Sequence, residues 1–300
     1  MELWVVFSVA AAATQALRTA VQRRMTATIG NLGASYIRFS YAFPIAWLFS
    51  LIFNNYTGTA LPDLTAAFWI WISLAALTQV IFTILLVTLF SHRSFAAAVA
   101  FSKTEVLQTA IFEALILGVV VTLQTGAAIS LGVFATVLLG FARANLALAN
   151  LHAAIFSRQV AIGLAAGAFL GFCTVCYGAA LHSMIGGDVI GNAMYAAAIG
   201  TTIQAVCFGI YIFIVRREQF IASFVEWRQC CMAGVWAATA SVCWFAGFTL
   251  YSVAPVRAVG QIELLFSIGF SVLYFRERIS RVEFTAIALL ATSIIMVLLD

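Results

Sequence analysis

A chain of 300 residues that is 64% hydrophobic and 9% charged, with a mean hydropathy of +1.08, lies well outside the range of soluble globular proteins. No stretch is long and polar enough to fold as a separate soluble domain, so the expected solvent is a bilayer. The net charge of +4 comes from fifteen basic residues, fourteen of them arginine, spread in twos and threes over short connections, which excludes a concentrated nucleic-acid-binding surface.

A hydrocarbon core of about 30 Å takes roughly 20 apolar residues to cross as a helix. The pattern predicts ten such spans, at approximately 3–22, 33–53, 66–90, 95–118, 122–142, 159–183, 189–214, 230–252, 254–275 and 281–299. The first resembles a signal peptide in its apolar run from Leu3 to Ala13, but it lacks a basic leading region and reads as a retained helix. Arg38 opens the second span and Gln79 lies within the third. The fourth carries Lys103, Glu105 and Glu113, the sixth a C-x-x-C at Cys173 and Cys176 with Tyr177, and the seventh Asn192, Tyr195 and Gln204. Trp244 and Tyr251 fall in the eighth, and Arg257, Gln261 and Glu263 in the ninth. Inside an apolar helix the two cysteines are expected to be small packing residues. The 26 phenylalanines read as lipid-facing bulk.

Arginines gather on the odd connections: Arg23 and Arg24; Arg93, Arg143 and Arg158; Arg216, Arg217 and Arg228; Arg276, Arg278 and Arg281. By the positive-inside rule those connections face the cytoplasm and both termini face out.

The chain also repeats itself. SKTEVLQTAIFEALILG (102–118) and GQIELLFSIGFSVLYFR (260–276) each hold a glutamate inside an apolar run; SYIRFSYAFP matches VIGNAMYAAA, and VTLFS matches FTLYS. The halves are residues 1–150 and 151–300, with five spans each. An odd number of crossings per half makes the repeat inverted, a construction recurrent in secondary transporters, whose substrate site lies near the midplane.

Glu105 and Glu263 fall about 15 Å into their spans, where an ionised side chain costs about 2.5 to 3.5 kcal/mol. Such groups are expected to face a partner or a water-filled cavity. Lys103, the only lysine, is two residues from Glu105 and so about 200° away on a helix, so their partners must lie elsewhere. Gln261 takes the corresponding place in the second half. Two carboxylates against one lysine leave an excess that a single structural pair, such as Lys103 with Glu263, does not consume. Glu113 either extends the polar track or snorkels to the interface. Arg38 and Arg257, near span ends, read as interface anchors, with the mouth of a cavity as the alternative, and Asn192 and His182 as solvated. Gln79 and Gln204 could bridge helices or touch substrate. Tyr177, Tyr195, Trp244 and Tyr251 are candidates for packing against a cation.

Taken together, the second-half run GQIELLFSIGFSVLYFRERISRVEFTAIALLATSIIMVLL, with Glu277, Arg278 and Ser280 at its junction, and the Arg38-Phe39 pair in YIRFSYAF resemble the drug/metabolite transporter superfamily, specifically the bacterial ten-helix type with two EamA domains. The resemblance covers the whole chain, although GVVVTLQTG replaces the charged junction in the first half. It implies a pseudo-symmetric helical bundle with spans four and nine lining a cavity, in a bacterial inner membrane. It also implies termini inside and a basic connection after the second span, whereas NNYTGTALPD has no basic residue and the arginines place the termini outside.

The expectation is therefore an all-α integral membrane protein of ten transmembrane helices in two inverted five-helix repeats, acting as a secondary transporter by alternating access. The expected substrate is a small polar metabolite, an amino acid or similar zwitterion, with export favoured by family habit. Its binding set would be Glu105, Glu263, Lys103, Gln261, Trp244, Tyr251 and Gln79, with Glu105 and Glu263 as candidates for proton coupling. No nucleotide-binding, zinc or nucleophile motif is present, so no enzyme activity, cofactor or metal is expected, and a monomer in the bilayer is the simplest assembly, with a dimer as the alternative. Carriage of lipophilic cations and a role as a non-transporting membrane subunit are the alternatives.

Overall fold

The computed structural model describes residues 2–89, 102–143, 158–275 and 280–300, and over these the chain is an all-α integral membrane protein. Its helices are α1 (Leu3–Ser40), α2 (Ala42–Thr57), α3 (Ala66–Leu89), α4 (Glu105–Leu117), α5 (Leu123–Arg143), α6 (Arg158–His182), α7 (Val189–Val215), α8 (Arg217–Val225), α9 (Trp227–Leu250), α10 (Val253–Gly260), α11 (Ile262–Phe275) and α12 (Arg281–Leu298). Two two-residue strands, β1 (Asp63–Leu64) and β2 (Met184–Ile185), pair antiparallel. Among the described residues, seven helical stretches have the length and composition to cross a membrane. The expected fourth span is described only from Ser102, and the expected ninth is divided at Gln261 into α10 and α11, so neither is among the seven.

The first of the seven, Leu3–Thr57, is 55 residues long. Laid straight it would reach about 80 Å, far beyond a bilayer core. The chain instead doubles back at Gly30, whose φ of 75° and ψ of 172° are non-helical. Gln22 Nε2 donates to Ala34 O at 2.7 Å, although twelve residues along a continuous helix would separate them by about 18 Å. The new helix needs its first amides satisfied, and Gln219 of α8 does so: its Oε1 accepts from Leu32 N and Gly33 N, both at 3.1 Å. The connection expected over 23–32 is thus compressed to one residue, and Arg23 and Arg24 stay on exposed helical turns. A side chain at residue 30 would face a backbone region nearly closed to L-residues, and its Cβ would lie 2.5 Å from Gln219 Cδ. Gly30→Ala should therefore cost about 1–3 kcal/mol, read as a lower unfolding midpoint in detergent. A wild-type midpoint would show that the reversal tolerates a side chain.

The chain forms two compact units, each drawing on both halves of the sequence. Unit 1 comprises Met1–Val80 and Cys173–Ser252. In it α1 packs along α9 and α2 along α7. Ala42, Ala46, Ala198, Ala237 and Ala238 form one buried cluster, small side chains that let helix backbones approach where no water drives association. Phe68, Phe208 and Phe248 are fully buried, so phenylalanine serves as core as well as lipid-facing bulk. Asp188 caps α7, its carboxylate accepting from Ile190 N at 2.9 Å and Gly191 N at 3.2 Å.

Unit 2 comprises Ile81–Phe172 and Val253–Asp300. Here α5 lies along α12, with Ala135, Leu290 and Ile294 in the seam and Ser293 Oγ donating to Ala128 O at 2.7 Å. The motif Ser280-Arg-Val-Glu283 forms a capping box that starts α12. Beyond the far end of α12, Asp300 accepts hydrogen bonds from the hydroxyls of Thr122 and Thr125, which hold its carboxyl below the usual carboxylate range. Within this unit a Cβ on Gly171 of α6 would stand 3.0 Å from Glu105 O and 3.1 Å from Thr109 N. The glycine lets α6 come within backbone contact of the first turn of α4.

Candidate functional site

Glu105 is the first residue of α4, after a turn at Lys103 and Thr104 that follows helical Ser102. Glu263 is the second residue of α11, after the break at Gln261. Both glutamates therefore stand in the first turn after an interruption, where a carboxylate complements the positive end of the helix dipole. Residues 95–101 of the expected fourth span lie outside the described residues.

Unit 2 gathers four of the seven expected site residues, Lys103, Glu105, Gln261 and Glu263, and adds Arg257. Every residue of α10 is buried, Arg257 included. Its guanidinium Nη2 is hydrogen-bonded and ion-paired to Glu105 Oε1, with the two side chains 9% and 3% exposed. This corrects the reading of Arg257 as an interface anchor: a guanidinium and a carboxylate removed from solvent are far more costly apart than together. Among the described residues Glu105 Oε2 is buried without a hydrogen-bond partner. Lys103 Nζ lies 3.9 Å from Glu263 Oε2, and these side chains are 30% and 13% exposed. Gln261 Oε1 accepts from Thr136 Oγ1 of α5 at 3.1 Å.

Glu113 takes neither of the two roles expected of it. It is buried, and its Oε1 and Oε2 accept from Val253 N at 2.6 Å and Ala254 N at 2.8 Å, so it caps the N-terminus of α10 from a neighbouring helix. With Arg257 against Glu105, Lys103 against Glu263 and a helix N-terminus against Glu113, the carboxylate excess counted from the sequence is balanced. The two ion pairs differ in kind. Arg257 with Glu105 is buried and in direct contact, whereas Lys103 with Glu263 is longer and partly exposed.

The other expected residues lie in unit 1. Gln204 Nε2 donates to Gln79 Oε1 and to Tyr177 Oη, and Tyr177 Oη donates to Gln79 Oε1 at 3.1 Å, so Gln79 joins α3, α6 and α7. Cys173 Sγ approaches the same oxygen at 3.8 Å. Trp244 is buried, donates from Nε1 to Gln15 Oε1 at 3.1 Å and stacks with Phe248. Tyr251 is 42% exposed and stacks on Trp4 with ring centroids 4.5 Å apart. Tyr195 packs edge-on against Trp47. Arg38 lies over the Phe39 ring at 4.4 Å. His182 is exposed, as expected, but Asn192 is buried, its Nδ2 donating to Gly186 O at 2.9 Å across the turn that leads into α7.

Sequence reasoning named Arg257 but did not see it as a buried partner, and it missed Thr136. The available signal for Arg257 was its setting in VAPVRAVG, where small apolar residues on every side mark a helix packed all round. Thr136 carried no signal, since one threonine in an apolar span is ordinary.

No protein-family model and no curated protein matches the chain. A solved structure described as "Crystal structure of protein" is similar over 99% of this chain and 96% of its own, with a TM-score of 0.69 and 15% sequence identity. At that identity the likeness is one of fold.

Proposed function

We propose that the chain is a secondary transporter of the drug/metabolite transporter type, with ten crossings arranged as two inverted five-helix repeats in a bacterial inner membrane. It carries a small zwitterion of the amino-acid class, outward by the habit of the family it resembles. The observation that carries this reading is the Lys103–Glu263 pair, two opposite charges 3.9 Å apart and partly exposed beside Gln261. An amino acid offers the complementary pair: its carboxylate exchanges for Glu263 on the lysine and its ammonium for the lysine on Glu263. Because the two charges are already neutralised by each other, the empty site pays no unpaired-charge penalty, and the protein can pass between states with or without cargo. Arg257 and Glu105 act as the fixed counterpart that holds α4 and α10 in place beside it.

The test is counterflow in proteoliposomes loaded with single amino acids, with polyamines, sugars and lipophilic cations as comparison cargoes. Saturable accumulation driven by an amino acid on the opposite side is expected. Accumulation driven only by lipophilic cations would replace the zwitterion by a hydrophobic cargo, and absence of any counterflow from protein that unfolds cooperatively would favour a non-transporting subunit.

A further inference from the structure

Helix α8, Arg217–Val225, is amphipathic the wrong way round for a helix on a protein surface. At 100° per residue Gln219 and Ser223 share one side and Phe224, Ile221 and Val225 share the opposite one. The polar side faces inward: Gln219 Oε1 takes the amides of Leu32 and Gly33, Ser223 is fully buried, and Ser223 O accepts from Tyr41 Oη at 2.9 Å. The apolar side faces outward, with Phe224 47%, Ile221 50% and Val225 69% exposed. Trp227, which opens α9 next in the chain, is 54% exposed.

Positive charge surrounds this apolar stripe. Arg216 and Arg217 precede it and Arg228 follows it, all exposed. Ala222 of α8 packs against the cluster built on Met25, Ile29, Ala34 and Ile37, which brings the helix beside exposed Arg23 and Arg24. Five arginines face two glutamates, Glu218 and Glu226, at this end of unit 1. Arg217 lies over the Phe213 ring at 5.4 Å and Arg228 over the Trp227 ring at 5.6 Å, so each guanidinium rests on the face of an exposed aromatic side chain, cation and aromatic together as at a membrane interface.

We propose that α8 is an interfacial helix that docks on an anionic lipid surface, with Phe224, Ile221 and Val225 at the acyl boundary and the surrounding arginines on lipid phosphates. The apolar stripe sets the depth and the arginines set the preference for acidic headgroups. Because the inward side of the same helix caps the Gly30 reversal, lipid bound outside stabilises the turn inside. A bilayer of acidic lipid is thereby linked to the stability of unit 1.

The test uses the full chain in nanodiscs of phosphatidylcholine alone and of phosphatidylcholine with one third phosphatidylglycerol. The wild-type unfolding midpoint should rise by several degrees in the acidic discs. That rise should vanish in 1 M salt and fall to under half in Arg216→Gln/Arg217→Gln/Arg228→Gln. Inorganic phosphate added to neutral discs should leave the midpoint where it is. Equal midpoints in the two lipids, a triple variant that keeps the whole rise, or phosphate that reproduces it would each overturn the proposal. Depth is read separately with Val225→Trp, whose added fluorescence over the wild type should be quenched by lipids brominated near the headgroup and spared by aqueous iodide. The reverse pattern would place α8 in water and sink the docking.

Discussion

Replacing Arg257 by methionine should destabilise the protein by about 3–5 kcal/mol, the largest single effect expected outside the backbone. The substitution keeps the volume and removes the charge that neutralises Glu105, leaving a carboxylate 3% exposed with its guanidinium gone. Desolvation of the carboxylate is then offset only by the helix N-terminus it stands on and by uptake of a proton. Glu105→Leu together with Arg257→Met should recover most of the loss, because neither partner then remains buried alone, and could exceed the wild type. Denaturation in a mild detergent at fixed lipid content reads both. A single variant as stable as the wild type would show that the pair does not hold α4 to α10, and the fixed half of the proposed site would fall with it.

The second large effect falls on transport rather than on stability. Lys103→Gln and Glu263→Gln each remove one charge from a pair that is 3.9 Å apart and partly exposed, so the stability loss should be clearly smaller than the roughly 3–5 kcal/mol of Arg257→Met. Each removes a charge-assisted contact to cargo worth about 1.5–3 kcal/mol, which corresponds to roughly a ten- to hundred-fold loss of apparent affinity in counterflow. Zwitterion selectivity should fail in opposite senses: Lys103→Gln should weaken recognition of the carboxylate, and Glu263→Gln that of the ammonium. Variants that lose several kcal/mol of stability while moving cargo at the wild-type rate per folded molecule would make the pair structural and remove the observation on which the transport reading stands.

What the sequence made legible was set by the physics of single helices. Hydropathy marked a membrane protein, because crossing a bilayer leaves a one-dimensional record about 20 residues long. The buried carboxylates were visible for the same reason, as charges inside apolar runs. Of the partners only Lys103 with Glu263 was legible, weighed as a structural pair and found 3.9 Å apart; a contact between Glu105 and Arg257, 152 positions apart, depends on how helices pack, and one sequence carries no record of that. Glu113 was misread on the same account. A carboxylate two turns beyond Glu105 was weighed against lipid and cavity, but not against the exposed amides of a second helix that begins beside it. The connection between the first two spans was legible, but its compression to Gly30 was not: Met25 to Ser35 contains no proline, and helix runs up to Gly30 and resumes after it. Gln79 stood in the expected binding set with helix bridging as its other reading, and the bridging reading needed least tertiary knowledge, since a mid-span amide needs a partner wherever it lies.

The two acidic residues of α4 grip α10 at different heights. Glu105 holds Arg257 near the middle of the short helix and Glu113 holds the amides of Val253 and Ala254 at its beginning. Eight residues along α4 span about 12 Å, while three or four along α10 span about 5 Å, so the grips fall on two distinct levers. One attachment leaves a rod free to swivel, whereas two pin it. Any conformational cycle in this unit must then treat α4 and α10 as a single splinted piece, and among the described residues a joint left to bend beside that piece is Gln261, where α10 gives way to α11.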